Sequence, residues 1–286
     1  MTKVEKKRIS ILGCGWLGLP LAQRLVELNI SNDLKGSTTS DSRLALFNAS
    51  GIKGYGIDLS PDFKGDPESI RSFLDTDILI ISVPPKLAKA GHDFHVQQIR
   101  SVIEHLKNAP VKEIIYTSST SVYPDLNRVV LEEDITEPGE SASPAIVQVE
   151  TALAALRPER IVSILRLGGL LGYNRIPAKY VAGQKEITTG SLPVNYIHRD
   201  DAVGIIVEII KSGTKNETFN LVAPLHPTRR EVYLKGCIEF GWEAPTFSSA
   251  ASSPDFKIIS GQKLDDFYNY HFKYADPLDF YYNPNL

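Results

Sequence analysis

The chain has 286 residues, of which 31 are lysine or arginine and 34 aspartate or glutamate, giving a formal charge of -3. That length can bury a core without disulfide or metal staples, and the near-balanced charge, with no basic stripe beyond KVEKKR at 3–8, argues against nucleic acid as a partner. The two cysteines, Cys14 and Cys237, match no disulfide or zinc spacing and suit a reducing compartment, so a cytoplasmic protein is expected.

The basic head at 1–8 reads as a flexible N-terminus. Followed by ISILGC it imitates a secretion signal, yet only five residues separate Arg8 from Cys14, fewer than the roughly 7–15 that a signal's apolar core needs. No apolar run approaches the roughly 18 residues of a membrane span, so no membrane partner is expected.

From residue 8 onward, short apolar runs alternate with segments of helical period. Runs at 8–12, 34–37, 53–57, 78–83, 113–117 and 161–165 read as strands, and segments at 17–28, 42–49, 67–74, 92–107 and 145–156 read as the helices between them. The strands are continuous apolar runs such as ILIISV rather than alternating ones, which predicts a parallel sheet covered by helices on both faces. The fold class is therefore α/β, a doubly wound parallel sheet.

After Leu167, glycines and prolines break the chain into loops until VNYIH, a helix at 201–211 and a further strand at 218–222. Residues 9–172 plus 194–222 are expected to form the sheet domain, and 173–193 plus 223–286 a small C-terminal lobe that binds substrate. His92 and His95, at i and i+3 near a helix start, invite a metal reading, but no third ligand accompanies them and none is expected. Thr228 reads as the cap of a further helix.

Gly13-Cys14-Gly15-Trp16-Leu17-Gly18 follows the first strand and opens the first helix. In a Rossmann-type fold these glycines supply a tight turn, close approach of the backbone to a pyrophosphate, and helix-sheet packing, so NADP or NAD is the expected cofactor. The carboxylate that would accept the ribose hydroxyls of NAD is missing at the end of the second strand. Ser37, Thr38, Thr39 and Ser40 stand there, with Arg43 three residues on. Hydroxyls and a guanidinium suit a 2′-phosphate, which places NADP ahead of NAD. Asp58 can accept from the adenine amine, and Val83 and Pro84 turn the chain beneath the cofactor.

Around the fifth strand stands VKEIIYTSSTSVYPDLNRVVLEEDITEP, after the sixth LRLGGLLGYNR, and then VNYIHRDDAVGIIVEII. In this order after GCGWLG, these segments resemble the atypical extended short-chain dehydrogenase/reductases, NAD-dependent epimerase/dehydratase-like proteins of a bacterial YeeZ-like subgroup. The resemblance runs from Ile9 nearly to the C-terminus. It implies that Ser119, four residues before Tyr123 of the SxxVY run, polarises a substrate carbonyl, with Tyr123 a second candidate for catalysis. Ser118 and the loop of Leu167, Gly168, Gly169 and Leu170 would lie on the nicotinamide side, while Arg175, Tyr196 and His198 would face a small-molecule substrate. Val194 stands where nucleotide-sugar members carry arginine, which weakens the case for a diphosphate-sugar substrate. The resemblance also implies a homodimer through the helices at 92–107 and 145–156, whose stripe of Ile146, Val149, Leu153 and Leu156 has helical spacing.

The family's YxxxK pair is absent. With Glu150 matching a carboxylate four residues beyond the lysine, SASPAIVQVE at 141–150 places Ala142 at the tyrosine position and Ile146 at the lysine position, on the side where the family faces its cofactor. No tyrosine or lysine occurs between Leu131 and Leu156. The lysine cation ordinarily makes the phenol a usable acid at neutral pH, so losing both removes the usual proton relay. Two functions of different class remain open: an oxidoreductase or epimerase-like enzyme with a non-standard relay, and a non-catalytic dinucleotide-binding regulator or sensor.

Overall fold

A computed structural model describes residues 6–85, 91–249 and 254–286. Seven strands form the main sheet: β1 Lys7–Leu12, β2 Ser31–Thr38, β3 Lys53–Gly56, β4 Ile78–Ile81, β5 Glu113–Ser119, β6 Ile161–Leu167 and β7 Thr218–Leu221. Their order is β3-β2-β1-β4-β5-β6-β7 and every pairing is parallel. The strand order reverses between β1 and β4, where Ile9 lies opposite both Leu34 and Ile78. In a doubly wound sheet, that reversal opens a crevice at the carboxyl ends of the strands. The fold is Rossmann-type α/β, as the apolar runs predict.

The sheet's side chains alternate between two cores. Ile78 and Ile80 of β4 join the core beneath α1 Gly18–Glu27 and α6 Arg199–Ser212, whereas Leu79 and Ile81 join the opposite one. That second core is closed by α3 Pro67–Leu74, α4 His92–Leu106 and α5 Pro144–Ala154. The remaining sheet-side helix, α2 Asp41–Ala49, buries only Phe47.

The apolar stripe of α5 is consumed inside the chain's own core. Val149 and Leu153 pack on the sheet, and Ile146 joins a third cluster with Val122, Tyr123, Val130 and Val222. The stripe that suggested a dimer face therefore faces inward, and the exposed positions described on α4 and α5 are Asp93, Gln97, Arg100, Glu104, His105, Pro144, Gln148 and Thr151.

Beyond β7, α7 Arg229–Phe240 begins at a reciprocal cap in which Thr228 and Glu231 bond to each other's backbone N–H, and it packs on the turn Pro177–Tyr180. The segment Lys257–Ile259 pairs in parallel with Arg128–Val130. Helix α8 Gln262–Tyr268 returns to the sheet, placing Leu264 and Tyr268 in the α1/α6 core. Residues 262–268 therefore depart from the expected division, which put all of 223–286 in the lobe. The C-terminal strap then crosses the loop after β6, with Tyr173 N–H donating to Tyr281 O at 2.9 Å and Asn283 N–H to Tyr173 O at 3.0 Å. Among the described residues, no helix is long and apolar enough to cross a membrane.

Candidate cofactor cleft

Each glycine of the loop after β1 has a distinct physical cause. Gly13 has φ +98, and a Cβ there would stand 2.5 Å from the Ser82 carbonyl oxygen, so the turn admits no side chain. A Cβ on Gly18 would meet the Gly13 oxygen at 2.4 Å, which fixes how closely α1 approaches the turn. A Cβ added at Gly15 would meet nothing within 4 Å beyond its chain neighbours. The backbone N–H groups of Trp16 and Leu17, ahead of α1, have no acceptor among the described residues. Open space over free N–H groups at a helix start suits a diphosphate, so the loop fits the dinucleotide that the resemblance implies.

A cleft of about 590 Å³ opens on this loop. Gly13, Gly15, Trp16 and Leu17 line one part, Val83 and Pro84 after β4 another, and Ser118 and Ser119 at the end of β5 a third. Leu167, Gly168 and Leu170 after β6, together with Arg175, complete it. Ser82, Gly169, Thr117 and Ser121 also line this cleft, the last two signalled in sequence only by the run of hydroxyls in YTSSTSVY.

Those hydroxyls differ in their commitments. Thr117 Oγ1 donates to Ile81 O at 3.3 Å, Ser118 Oγ to the buried Glu150 carboxylate, and Thr120 Oγ1 to Leu167 O at 3.2 Å. Ser119 Oγ instead accepts from Ser121 N–H at 3.1 Å, capping the short turn Thr120–Val122 and leaving its own proton free.

At the end of β2, Ser37 Oγ is taken by Gly13 N–H at 2.9 Å and Thr38 Oγ1 accepts from Ser40 N–H at 3.2 Å. Arg43 is exposed on α2 and makes no ion pair among the described residues. Asp58 is half-buried and accepts from Ser60 Oγ at 2.8 Å, in a short hairpin of Asp58–Leu59 with Phe63–Lys64. Gly18, Thr38, Arg43 and Asp58 are not in the cleft wall itself. Cys14 is buried under the loop, and burial pushes its thiol up to about 12, so it is not a nucleophile.

Three expected site residues are turned away. Tyr123 is fully buried, its hydroxyl donating to Asn220 Oδ1 at 2.7 Å and accepting from Arg166 Nη1 at 2.8 Å. Burial pushes its phenol up to about 12, so the catalytic expectation for Tyr123 gives way to a structural one. His198 caps α6 by accepting from Asp200 N–H at 3.1 Å, while Nε2 meets Tyr281 O at 3.2 Å beneath Tyr274 and Phe280. Both ring nitrogens are occupied, and burial lowers the imidazole's pKa, so His198 holds the C-terminal strap instead of a substrate. Tyr196 packs its ring on Gly169, and its phenol is raised by burial and by the neighbouring Tyr233. It lies behind the cleft wall rather than in it.

The stretch at 141–150 is placed by its backbone. Ala142 precedes α5, exposed, with its N–H on Val122 O at 3.0 Å, and Ser143 Oγ donates to Ser121 O at 3.0 Å. Ile146 is 3% exposed within the Val122–Val222 cluster and does not line the cleft. The expectation that positions 142 and 146 both face the cofactor is therefore corrected. His95 of the HxxH spacing is buried, bonded to Tyr116 Oη at 2.8 Å and Gln98 Oε1 at 3.0 Å, while the His92 side chain lies outside the described residues.

No protein-family model matches the chain. It is 31% identical over 272 residues to Protein YeeZ of Escherichia coli (strain K12), an alignment covering 95% of this chain and 98% of that protein. Among solved structures it is similar to DesIV, a dTDP-glucose 4,6-dehydratase from Streptomyces venezuelae, with TM-score 0.75 and 16% identity over 95% of this chain and 94% of that one. It is likewise similar to vestitone reductase from alfalfa (Medicago sativa L.), with TM-score 0.73 and 18% identity over 96% of both chains. At such identities the two structures speak to the fold, and the curated relative speaks to the family. The chain belongs to the YeeZ-like group of atypical extended short-chain dehydrogenase/reductases.

Proposed function

We propose that the protein binds a nicotinamide dinucleotide in this cleft and acts as an oxidoreductase on a small carbonyl or hydroxyl substrate. The observation that carries the proposal is one cleft shared by the glycine loop, the uncommitted Ser119 hydroxyl and the loop Leu167–Leu170. When bound, the nicotinamide supplies hydride exchange. Ser119 donates its free hydroxyl proton to the substrate oxygen, held by the backbone bond from Ser121, and in the absence of a tyrosine-lysine pair the net proton comes from water. Val83 and Pro84 form one wall of the cleft. Arg43 would meet a 2′-phosphate, so NADPH is the preferred form.

DesIV, which shares this fold, was solved with NAD bound, and the alfalfa protein is a reductase. Both support a cofactor of this class. A second reading has its own observation: Arg175 is the single ionisable side chain lining the cleft among the described residues. A cleft with no acid or base favours a sensor that binds the dinucleotide without turning it over. Calorimetry with NADPH and NADH, followed by oxidation of NADPH in the presence of small aldehydes and ketones, tests both. Binding with turnover that drops in Ser119→Ala supports the enzyme. Binding without turnover of any carbonyl assigns the sensor, and absence of binding overturns both.

A further inference from the structure

We infer that Arg175, stacked on Trp16 of the glycine loop and backed by Arg199, is a clamp for the dinucleotide's diphosphate rather than a ligand for the substrate. The inference rests on the proposed cofactor and goes beyond it by assigning the group that each arginine meets. Arg175 Cζ lies 4.0 Å from the centroid of the Trp16 ring and Arg199 Cζ 4.8 Å from the same centroid. Arg199 also sits 3.7 Å over Tyr173. The indole is oriented by the loop that carries Arg175, since Trp16 Nε1–H donates to Asn174 Oδ1 at 3.1 Å.

Neither guanidinium has a carboxylate within 4.0 Å among the described residues. Asp200, next in sequence to Arg199, is committed to Tyr173 Oη at 2.9 Å and Lys273 Nζ at 3.0 Å. Arg199 Nε is buried without a hydrogen-bond partner among the described residues. Two like charges against one indole repel each other, and an anion between or beside them relieves that repulsion.

The position of the free donors identifies the anion. The unpartnered N–H groups of Trp16 and Leu17 belong to the same turn that presents the indole, so an anion bound there lies against the residue on which Arg175 is stacked. A diphosphate carries two charges and presents paired oxygens to a planar guanidinium, which matches its fork of donors. Among the described residues Arg175 is also the one cation that lines the cleft.

The test uses the full chain and calorimetric titration of NADPH and of ADP-ribose, which has the diphosphate but no nicotinamide, at two salt concentrations. Arg175→Ala is expected to weaken both ligands by the same factor, about tenfold or more, with a shallower salt dependence than the parent. Arg175→Lys, which keeps the charge and loses the fork, should fall between them, and Arg199→Ala should weaken both ligands less. Melting curves for each variant establish that it is folded. If the parent binds both ligands and Arg175→Ala binds ADP-ribose as tightly, the clamp is overturned while the cofactor proposal stands. A variant with unchanged affinity for both ligands but a raised KM for a carbonyl substrate also overturns it, returning Arg175 to the substrate. A parent that binds neither ligand overturns the cofactor proposal and the clamp together.

Discussion

Arg166 on β6 and Glu150 on α5 face each other as a bidentate ion pair, with Arg166 Nε donating to Glu150 Oε1 at 3.1 Å and Nη2 to Oε2 at 2.7 Å. The residues are 3% and 4% exposed. Arg166's remaining donors reach the carbonyls of Glu132 and Ile135 at 3.0 and 2.9 Å and the Tyr123 hydroxyl, while Glu150 accepts from Ser118 in the cleft wall. One pair thus ties α5, the loop after β5 and the cleft floor together. Breaking it from one side leaves a buried charge without its partner. Arg166→Leu is predicted to cost roughly 3–5 kcal/mol in urea unfolding, and Glu150→Leu added to it should recover part of the loss. A single variant as stable as the parent would contradict the assignment.

Two glycines of the loop after β1 separate stability from binding. Gly18→Ala forces a Cβ against the Gly13 carbonyl, which is backbone and cannot step aside, so a loss of about 1–3 kcal/mol is expected. Gly15→Ala enters open space, so its melting temperature should match the parent's while NADPH affinity falls about tenfold, or about 1.4 kcal/mol. Equal melting temperatures for both variants, or unaltered affinity in Gly15→Ala, would contradict this division of roles.

Tyr123→Phe removes a hydroxyl that satisfies both Asn220 and Arg166. Leaving those two groups short of a partner should cost about 1–3 kcal/mol, with NADPH affinity and any turnover per folded molecule retained. A variant of normal stability and abolished turnover would restore Tyr123 to catalysis.

How much of this was legible in sequence follows from the range of the interactions. Strand period and the glycine loop are local, so the order of elements, the turn at Gly13 and the hydroxyl run to Ser119 could be read directly. Tyr123 and His198 could not be separated from a cleft by type or spacing, because what buries them comes from Asn220 and Arg166 in one case and from Tyr281 in the other. Helix α8 is short, and its apolar positions Leu264 and Tyr268 acquire meaning only against α6 and β7. Arg199 lies two residues ahead of the helix expected at 201–211, and its place over Trp16 depends on the β6 loop and α6 meeting the first turn of the chain.

Acid should destabilise the fold through its buried imidazoles. Burial lowers the pKa of His95, His198 and His226 below the ordinary value of 6.5. Below that value the unfolded chain takes up protons that the native state refuses, so the stability present above it is lost as pH falls through 6.5 toward the lowered native values. Glu132 acts in the opposite sense, because burial raises its carboxyl and the native state takes that proton first, offsetting part of the loss at the acid end. Unfolding free energies measured from pH 8 downward should therefore hold until about pH 6.5 and then decline, and Glu132→Gln should steepen the decline. Stability that rises on acidification through this window would contradict the neutral, buried state of the histidines.

Ile146 stands one helical turn before Glu150, whose bond to Ser118 and pairing with Arg166 fix the face that α5 turns inward. Its neighbours in the core include Val122, Val130, Val147 and Val222, and the carboxylate one turn on, Glu150, is already taken by Arg166 and Ser118. A lysine there would place an ammonium among aliphatic groups, which costs several kcal/mol or drives the lysine to its neutral form. Ile146→Lys is therefore predicted to lower the melting temperature sharply and to gain no more from NADPH than the parent gains. Ala142→Tyr, at an exposed position ahead of the helix, should leave stability unchanged. The measurement is a set of melts for the parent, each variant and the double variant, with and without NADPH. A lysine variant that gains more stabilisation from NADPH than the parent would show that position 146 reaches the cofactor, and that this helix needs only its two lost side chains to recover the family's arrangement.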